Sequence, residues 1–120
     1  MKQYQRAALA LAALKLETNN SVTSIYDYSQ SSYPNISGDV TAREIKLYDY
    51  DRRAYFDGNF SGSEFSLYDY GHGEYISLKK KMNGKYEGYH YGSSSYYEID
   101  IRGNSVSFYD YGTGQYYEFS

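Results

Sequence analysis

Five acidic or imidazole side chains recur at one place in a repeat: Asp27, Asp49, Asp69, His90 and Asp110. Carboxylates and imidazoles carry general acid–base chemistry and ligate metals, so their spacing is the first question. Each is the middle residue of a tripeptide, Tyr-Asp-Tyr at 26–28, 48–50, 68–70 and 109–111, and Tyr-His-Tyr at 89–91. Successive copies start 22, 20, 21 and 20 residues apart, and a fixed period near 20 marks a structural repeat. Groups on alternate strands of a sheet lie about 10 Å apart, too far for simple shared coordination of one ion. A catalytic residue is needed once or twice, not in every copy. An Asp just before a turn can instead accept hydrogen bonds from turn N–H groups. The five are therefore expected to cap turns, with ion pairing to a basic N-terminal segment as the second reading. A metal or catalytic site at this Asp/His rim is the third; no catalytic residue, metal or cofactor is assigned. His72, in the turn Gly71-His72-Gly73, and His90 depart from the repeat, but no nucleophile pattern accompanies them. Gly71-x-Gly73 and Gly112-x-Gly114 have no helix after them, so they are not phosphate loops.

Tyrosine makes the sharper pattern. Seven residues after the first Tyr of each copy stands another, at Tyr33, Tyr55, Tyr75, Tyr96 and Tyr116, so the repeat accounts for fifteen of the nineteen tyrosines. The candidate binding face comprises Tyr48, Tyr50 and Tyr55; Tyr68, Tyr70 and Tyr75; Tyr89, Tyr91 and Tyr96; and Tyr109, Tyr111 and Tyr116. Neighbouring rings stabilise a sheet by about 0.2–1 kcal/mol per pair whatever else they do. A flat apolar ring with a hydroxyl also suits contact with a protein, a second copy of the chain or a carbohydrate.

The elements that must position these groups follow from period. From Val22 onward it is two. Ile25, Leu47, Leu67, Gly88 and Phe108 precede the motifs by one residue and share a face with the central Asp or His; Ile45, Phe65, Tyr86 and Val106, three before, lie on the same face. The tyrosines take the other face. Four turn-forming residues follow each motif and the strand returns, carrying Phe56, Ile76, Leu78, Tyr97, Ile99 and Phe119 on the apolar face. Pro34 makes the first return strand irregular. Asn83-Gly84 and Arg102-Gly103-Asn104 close second turns. The repeat thus predicts an all-β fold, five hairpins in a ten-stranded antiparallel meander over 21–120. Residues 1–20 form an N-terminal helix and link within one 120-residue domain.

The helix is read over residues 4–17, which contain no Gly or Pro and are apolar around most of their surface from Ala7 to Leu14. A flat ten-stranded sheet would be nearly 50 Å wide, and one helix about 10 Å across cannot cover it. The sheet is therefore expected to roll, or to close as a barrel, around or against the helix. The short link makes helix and first strand antiparallel. That brings Lys2, Arg6 and the terminal amine to the Asp/His rim.

Composition narrows the partners. Residues 1–20 carry +2 and residues 21–120 carry −5, and an acidic body with no basic face argues against nucleic acid. The apolar run Ala7–Leu14 is too short to cross a membrane and ends at Lys15 with no small-residue cleavage site. Lys46, Glu87, Glu44 and Glu64 interrupt any lipid-facing band on the strands. The absence of Cys fits a reducing compartment, so a cytoplasmic location is favoured. Lys79-Lys80-Lys81 reads as a solvated edge.

The stretch Gly84-Lys85-Tyr86-Glu87-Gly88-Tyr89-His90-Tyr91-Gly92 resembles MORN repeats, short hairpins that often read Tyr-x-Gly. The resemblance spans nine residues of one copy; the other copies lack its glycines. The function expected from the residues is a non-enzymatic binding module using its tyrosine face. The rivals are a carrier of a small apolar ligand, should the helix leave the interior empty, and an enzyme or metal protein.

Overall fold

The computed structural model describes residues 1–120. Helix α1 runs Gln3–Thr18 and ends at Asn19, whose φ of 54° is the left-handed turn that Asn tolerates at a helix C-terminus. Nine strands follow: β1 (Ile36–Val40), β2 (Glu44–Asp49), β3 (Ala54–Ser61), β4 (Glu64–Asp69), β5 (Glu74–Met82), β6 (Lys85–His90), β7 (Ser95–Arg102), β8 (Ser105–Asp110) and β9 (Gln115–Phe119). They form one antiparallel sheet in sequence order, the simplest up-and-down meander.

The repeat predicts ten strands, and the structure corrects this to nine. The outgoing segment of the first copy, 22–28, makes only isolated bridges, Asp27 with Ser32 and Asp27 with Phe119. Two sequence features explain the loss. Pro34 lacks the N–H that a first hairpin ladder needs, and Thr23, where other copies place Ile, Phe, Tyr or Val, is exposed. The sheet is also not a closed barrel, because β1 and β9 are not partners. Between them Tyr26 exchanges backbone hydrogen bonds with Ser120, the Tyr28 N–H reaches the Glu118 carbonyl, and the Asn20 amide occupies both backbone groups of Val40.

The sheet curves around α1, which packs on β1 and β2 at one end of the strand order and on β7 and β8 near the other. Ala7–Leu14 are buried throughout, and Ala at 7, 8, 10, 12 and 13 keeps the helix thin enough for strands to approach on every side. The apolar wall is the predicted set, with Ile45, Leu47, Leu67, Ile76, Phe108 and Phe119 among its buried members. Gly58 and Gly88 stand at wall positions for a steric reason: a Cβ on either would lie 1.9 Å from the carbonyl oxygen of Ser66 or Ser77. Beside Gly88 the wall is completed from the next strand. Tyr97 is fully buried, stacks on Phe108 at 5.0 Å and donates its hydroxyl to the Ser77 carbonyl at 2.6 Å.

Candidate functional site

The helix N-terminus lies at the turn end of the sheet, and there all five repeated side chains cap turns while Asp27, Asp69 and Asp110 also bind the helix. Asp27, Asp49, Asp69, His90 and Asp110 are all buried. One carboxylate oxygen of each Asp closes its turn: Oδ1 accepts the N–H of Ser29 at 2.9 Å, of Asp51 at 3.0 Å, of Gly71 at 2.9 Å and of Gly112 at 2.8 Å respectively. In the fourth copy the Ser93 N–H donates to His90 Nδ1 at 3.2 Å. That leaves Nε2 to carry the proton and donate to Glu74 Oε2.

The second oxygen turns to the helix. Asp27 Oδ2 accepts from Gln3; Asp69 Oδ2 accepts from Tyr4 and Gln5, both at 2.8 Å; Asp110 Oδ2 accepts from Arg6 at 3.1 Å. Gln5 also donates to Glu74 at 2.9 Å, tying the His90 copy into the same network. Turn capping and helix anchoring, separate readings of the sequence, are thus two ends of one side chain. The terminal amine sits 3.8 Å from Asp110, whereas Lys2 is exposed and forms no ion pair. The uncharged donors Gln3, Tyr4 and Gln5 carry most of the anchoring that cations were expected to supply. No residue pattern announced them.

Electrostatics follow from this geometry. Burial raises the Asp49 pKa above its ordinary value against the opposing Arg52 and Asp51 N–H groups. Burial would raise Glu74 too, but hydrogen bonds from Gln5 and His90 and the nearby histidines hold it below 4.5. At the opposite end of the helix Glu17 behaves alike. Burial is outweighed by bonds from Tyr86, Lys80 and the Gly84 N–H, and its pKa is lowered. Lys80, part of the basic triplet, reaches Glu17 at 3.3 Å, and Lys81 lies between Glu87 and Glu98. No group of three or more His, Asp or Glu side chains is placed to hold a metal ion.

On the outer face each copy gathers its three tyrosines into one cluster. The first ring meets the second and third at 4.6–4.9 Å, edge-on in every pair but the tilted Tyr109–Tyr116: Tyr48 with Tyr50 and Tyr55, Tyr68 with Tyr70 and Tyr75, Tyr89 with Tyr91 and Tyr96, and Tyr109 with Tyr111 and Tyr116. Cross-strand pairing sets this up, because Tyr48–Tyr55, Tyr68–Tyr75, Tyr89–Tyr96 and Tyr109–Tyr116 are register partners. Tyr26, Tyr28 and Tyr33 form the same cluster in the first copy despite its missing ladder, and so join the candidate face. The second and third rings of every cluster stay 46–69% exposed, ten in all.

Two open grooves lie between the clusters of the last copies. One, of about 530 Å³, runs between Tyr96 and Tyr111 over Glu87, Glu98, Ser94 and Ser95; Tyr111 donates its hydroxyl to Glu98. The other, of about 540 Å³, lies beside Tyr89, Tyr91 and Tyr96, with Glu64, Glu87 and Lys79 around it. The interior is different. It holds the helix, and the enclosed space near Tyr4 and Ala8 is about 10 Å³, room for one water at most. No helix is long and apolar enough to cross a membrane. Comparison with protein-family models, curated proteins and solved structures finds no match.

Proposed function

We propose that this protein is a non-enzymatic binding module that holds a carbohydrate on the tyrosine-bearing outer face of its sheet. The observation that carries the reading is the groove between Tyr96 and Tyr111. Exposed aromatic rings form its walls, while carboxylates and hydroxyls of Glu87, Glu98, Ser94 and Ser95 line it. Sugars need flat apolar faces for their C–H surfaces and acceptors for their hydroxyls, and this groove offers both on a stiff sheet. A pre-formed site also limits the entropy lost on binding.

A protein partner, or a second copy of the chain, is the second reading. With about 200 Å² per aromatic side chain, ten half-exposed rings leave on the order of 1,000 Å² of aromatic surface. The largest apolar patch on a typical monomer is about 300–600 Å². The tyrosine hydroxyls and intervening carboxylates make this surface more suited to sugars than to a dry interface. An interior site for an apolar ligand has no comparable support, since the helix occupies that space.

The test is calorimetric titration of the protein and a Tyr96→Ala/Tyr111→Ala double variant with a panel of defined tetrasaccharides. Binding of at least one sugar, weakened at least tenfold by the double substitution, is expected. Equal binding by both proteins would move the site elsewhere, and no binding by any sugar together with concentration-dependent dimerisation would favour the second reading.

A further inference from the structure

Among the four rim aspartates, Asp49 differs. Its Oδ1 accepts the N–H of Asp51 at 3.0 Å, as in the other copies, and that of Arg52 at 3.2 Å. Its Oδ2 has no hydrogen-bond or ion-pair partner, although the residue is only 7% exposed. The equivalent oxygens of Asp27, Asp69 and Asp110 all bind the helix. The helix group nearest in sequence, Tyr4, goes instead to Asp69, and its ring is covered by the Arg52 guanidinium at 3.6 Å. Unlike Arg6 Nε, this oxygen is not sealed from solvent, so it is free to accept a donor from outside the protein.

Asp49 opens onto a mouth of about 390 Å³ at the helix N-terminus, beside Tyr33 of the first tyrosine cluster. This volume falls within the roughly 300–1,000 Å³ of small-molecule sites. The charges there cancel in sign and number, Lys2 and Arg52 against Asp49 and Asp51, so neither an anion nor a cation is favoured as such. Between them lie uncharged groups that both donate and accept, Gln3, Gln30, Ser32 and Asn35, and the exposed ring of Tyr33. First-turn N–H groups of the helix, at Gln3 and Tyr4, have no helical acceptor and add donors. A neutral ligand with hydroxyls at several positions matches this mixture, since each hydroxyl donates one proton and accepts at its lone pairs.

We infer that this mouth is a second saccharide subsite, distinct from the Tyr96–Tyr111 groove, in which Asp49 Oδ2 accepts a ligand hydroxyl and Tyr33 supplies the stacking wall. The inference rests on the carbohydrate reading of the tyrosine face. It adds a specific residue to it, and a ligand end that enters the mouth instead of lying across the outer face. The Arg52–Tyr4 stack and the two N–H bonds to Oδ1 hold the carboxylate in place before the ligand arrives, so little ordering is left to the binding step.

The experiment is a titration of the isotope-labelled protein with the same tetrasaccharide panel, followed by backbone amide shifts. Asp49→Asn and Asn35→Ala serve as variants. Asn at 49 keeps an oxygen for the turn and puts an amide where the acceptor was. The Asn35 side chain makes no protein hydrogen bond, so its removal spares the fold. Saturable shifts at Asp49, Asp51 and Asn35, with affinity at this site reduced at least fivefold in both variants at unchanged thermal midpoint, are the expected result. Shifts confined to the Tyr96–Tyr111 groove would overturn the subsite and leave the carbohydrate reading standing. Absence of shifts anywhere with every sugar would overturn both. Affinity unchanged in Asp49→Asn despite shifts at Asn35 would remove Asp49 from the site.

Discussion

Arg6 Nη1 donates to Asp110 Oδ2 at 3.1 Å, joining the first turn of the helix to the last hairpin across 104 residues of chain. Both side chains are nearly or fully buried, and the guanidinium also lies over the Tyr117 ring at 3.7 Å. The other oxygen of the same carboxylate holds the Gly112 N–H at 2.8 Å. One aspartate therefore fixes both the turn and the helix it surrounds, and removing it leaves an uncompensated buried cation.

Asp110→Ala is expected to destabilise the protein by about 3–5 kcal/mol, the usual result of breaking one side of a buried pair. Asp110→Asn keeps a turn acceptor and should lose less. Urea denaturation of both variants measures the difference, and equal, small losses would mean that the Arg6 contact contributes little.

Glycine at position 88 is a steric requirement. A Cβ there would lie 1.9 Å from the Ser77 carbonyl and 2.4 Å from the Tyr97 hydroxyl. Gly88→Ala should therefore cost about 3 kcal/mol or more through forced displacement of packed backbone. Gly62→Ala meets open space and only its φ of 71° opposes it, so about 1–2 kcal/mol is expected. Thermal denaturation of the pair separates packing from backbone strain.

Stability should fall on acidification, through Glu17 and Glu74. Both have folded-state pKa values below 4.5. Their contribution is complete above the unfolded value and is lost as pH falls through the lower folded one. Asp49 and Asp57, raised above 3.8 by burial, act in the opposite sense and regain stability as they protonate. Midpoints measured from pH 6 to pH 3 should drop less steeply in Glu74→Gln and Glu17→Gln, and more steeply in Asp57→Asn. Parallel curves in all four proteins would contradict these assignments.

Within a tyrosine cluster the central ring should matter most for folding and the outer rings least. Tyr68 meets Tyr70 and Tyr75 at 4.7 Å each. Losing two edge-to-face pairs in Tyr68→Ala is worth about 1–3 kcal/mol. Tyr70→Ala, losing one pair at a 61% exposed site, should cost about 1 kcal/mol or less. If the outer rings matter as much to stability as the central one, their exposure serves the fold alone.

The repeat itself made most of the fold legible. A two-residue period interrupted every ten residues or so by Gly, Ser and Asn can only be hairpins, and an all-round apolar helix can only be buried. What failed was local. Val22–Tyr28 has the motif but not the apolar partners, and Pro34 opposite removes a ladder donor, so its strand is reduced to bridges. The helix-anchoring donors were illegible for a different reason. Gln3, Tyr4 and Gln5 are ordinary surface residues in any helix, and only the rolled sheet brings Asp27, Asp69 and Glu74 to them. Charge drew attention to Lys2, which points to water. Register groups the tyrosines by hairpin, because each motif pairs with the Tyr seven residues on.

The most direct test of the central claim is to follow the ring resonances of the tyrosines while a tetrasaccharide panel is added. The account predicts saturable shifts for Tyr96 and Tyr111 with at least one sugar, and none for the buried Tyr86 and Tyr97. If no sugar moves any exposed ring at millimolar concentration, the outer face is not a carbohydrate-binding surface.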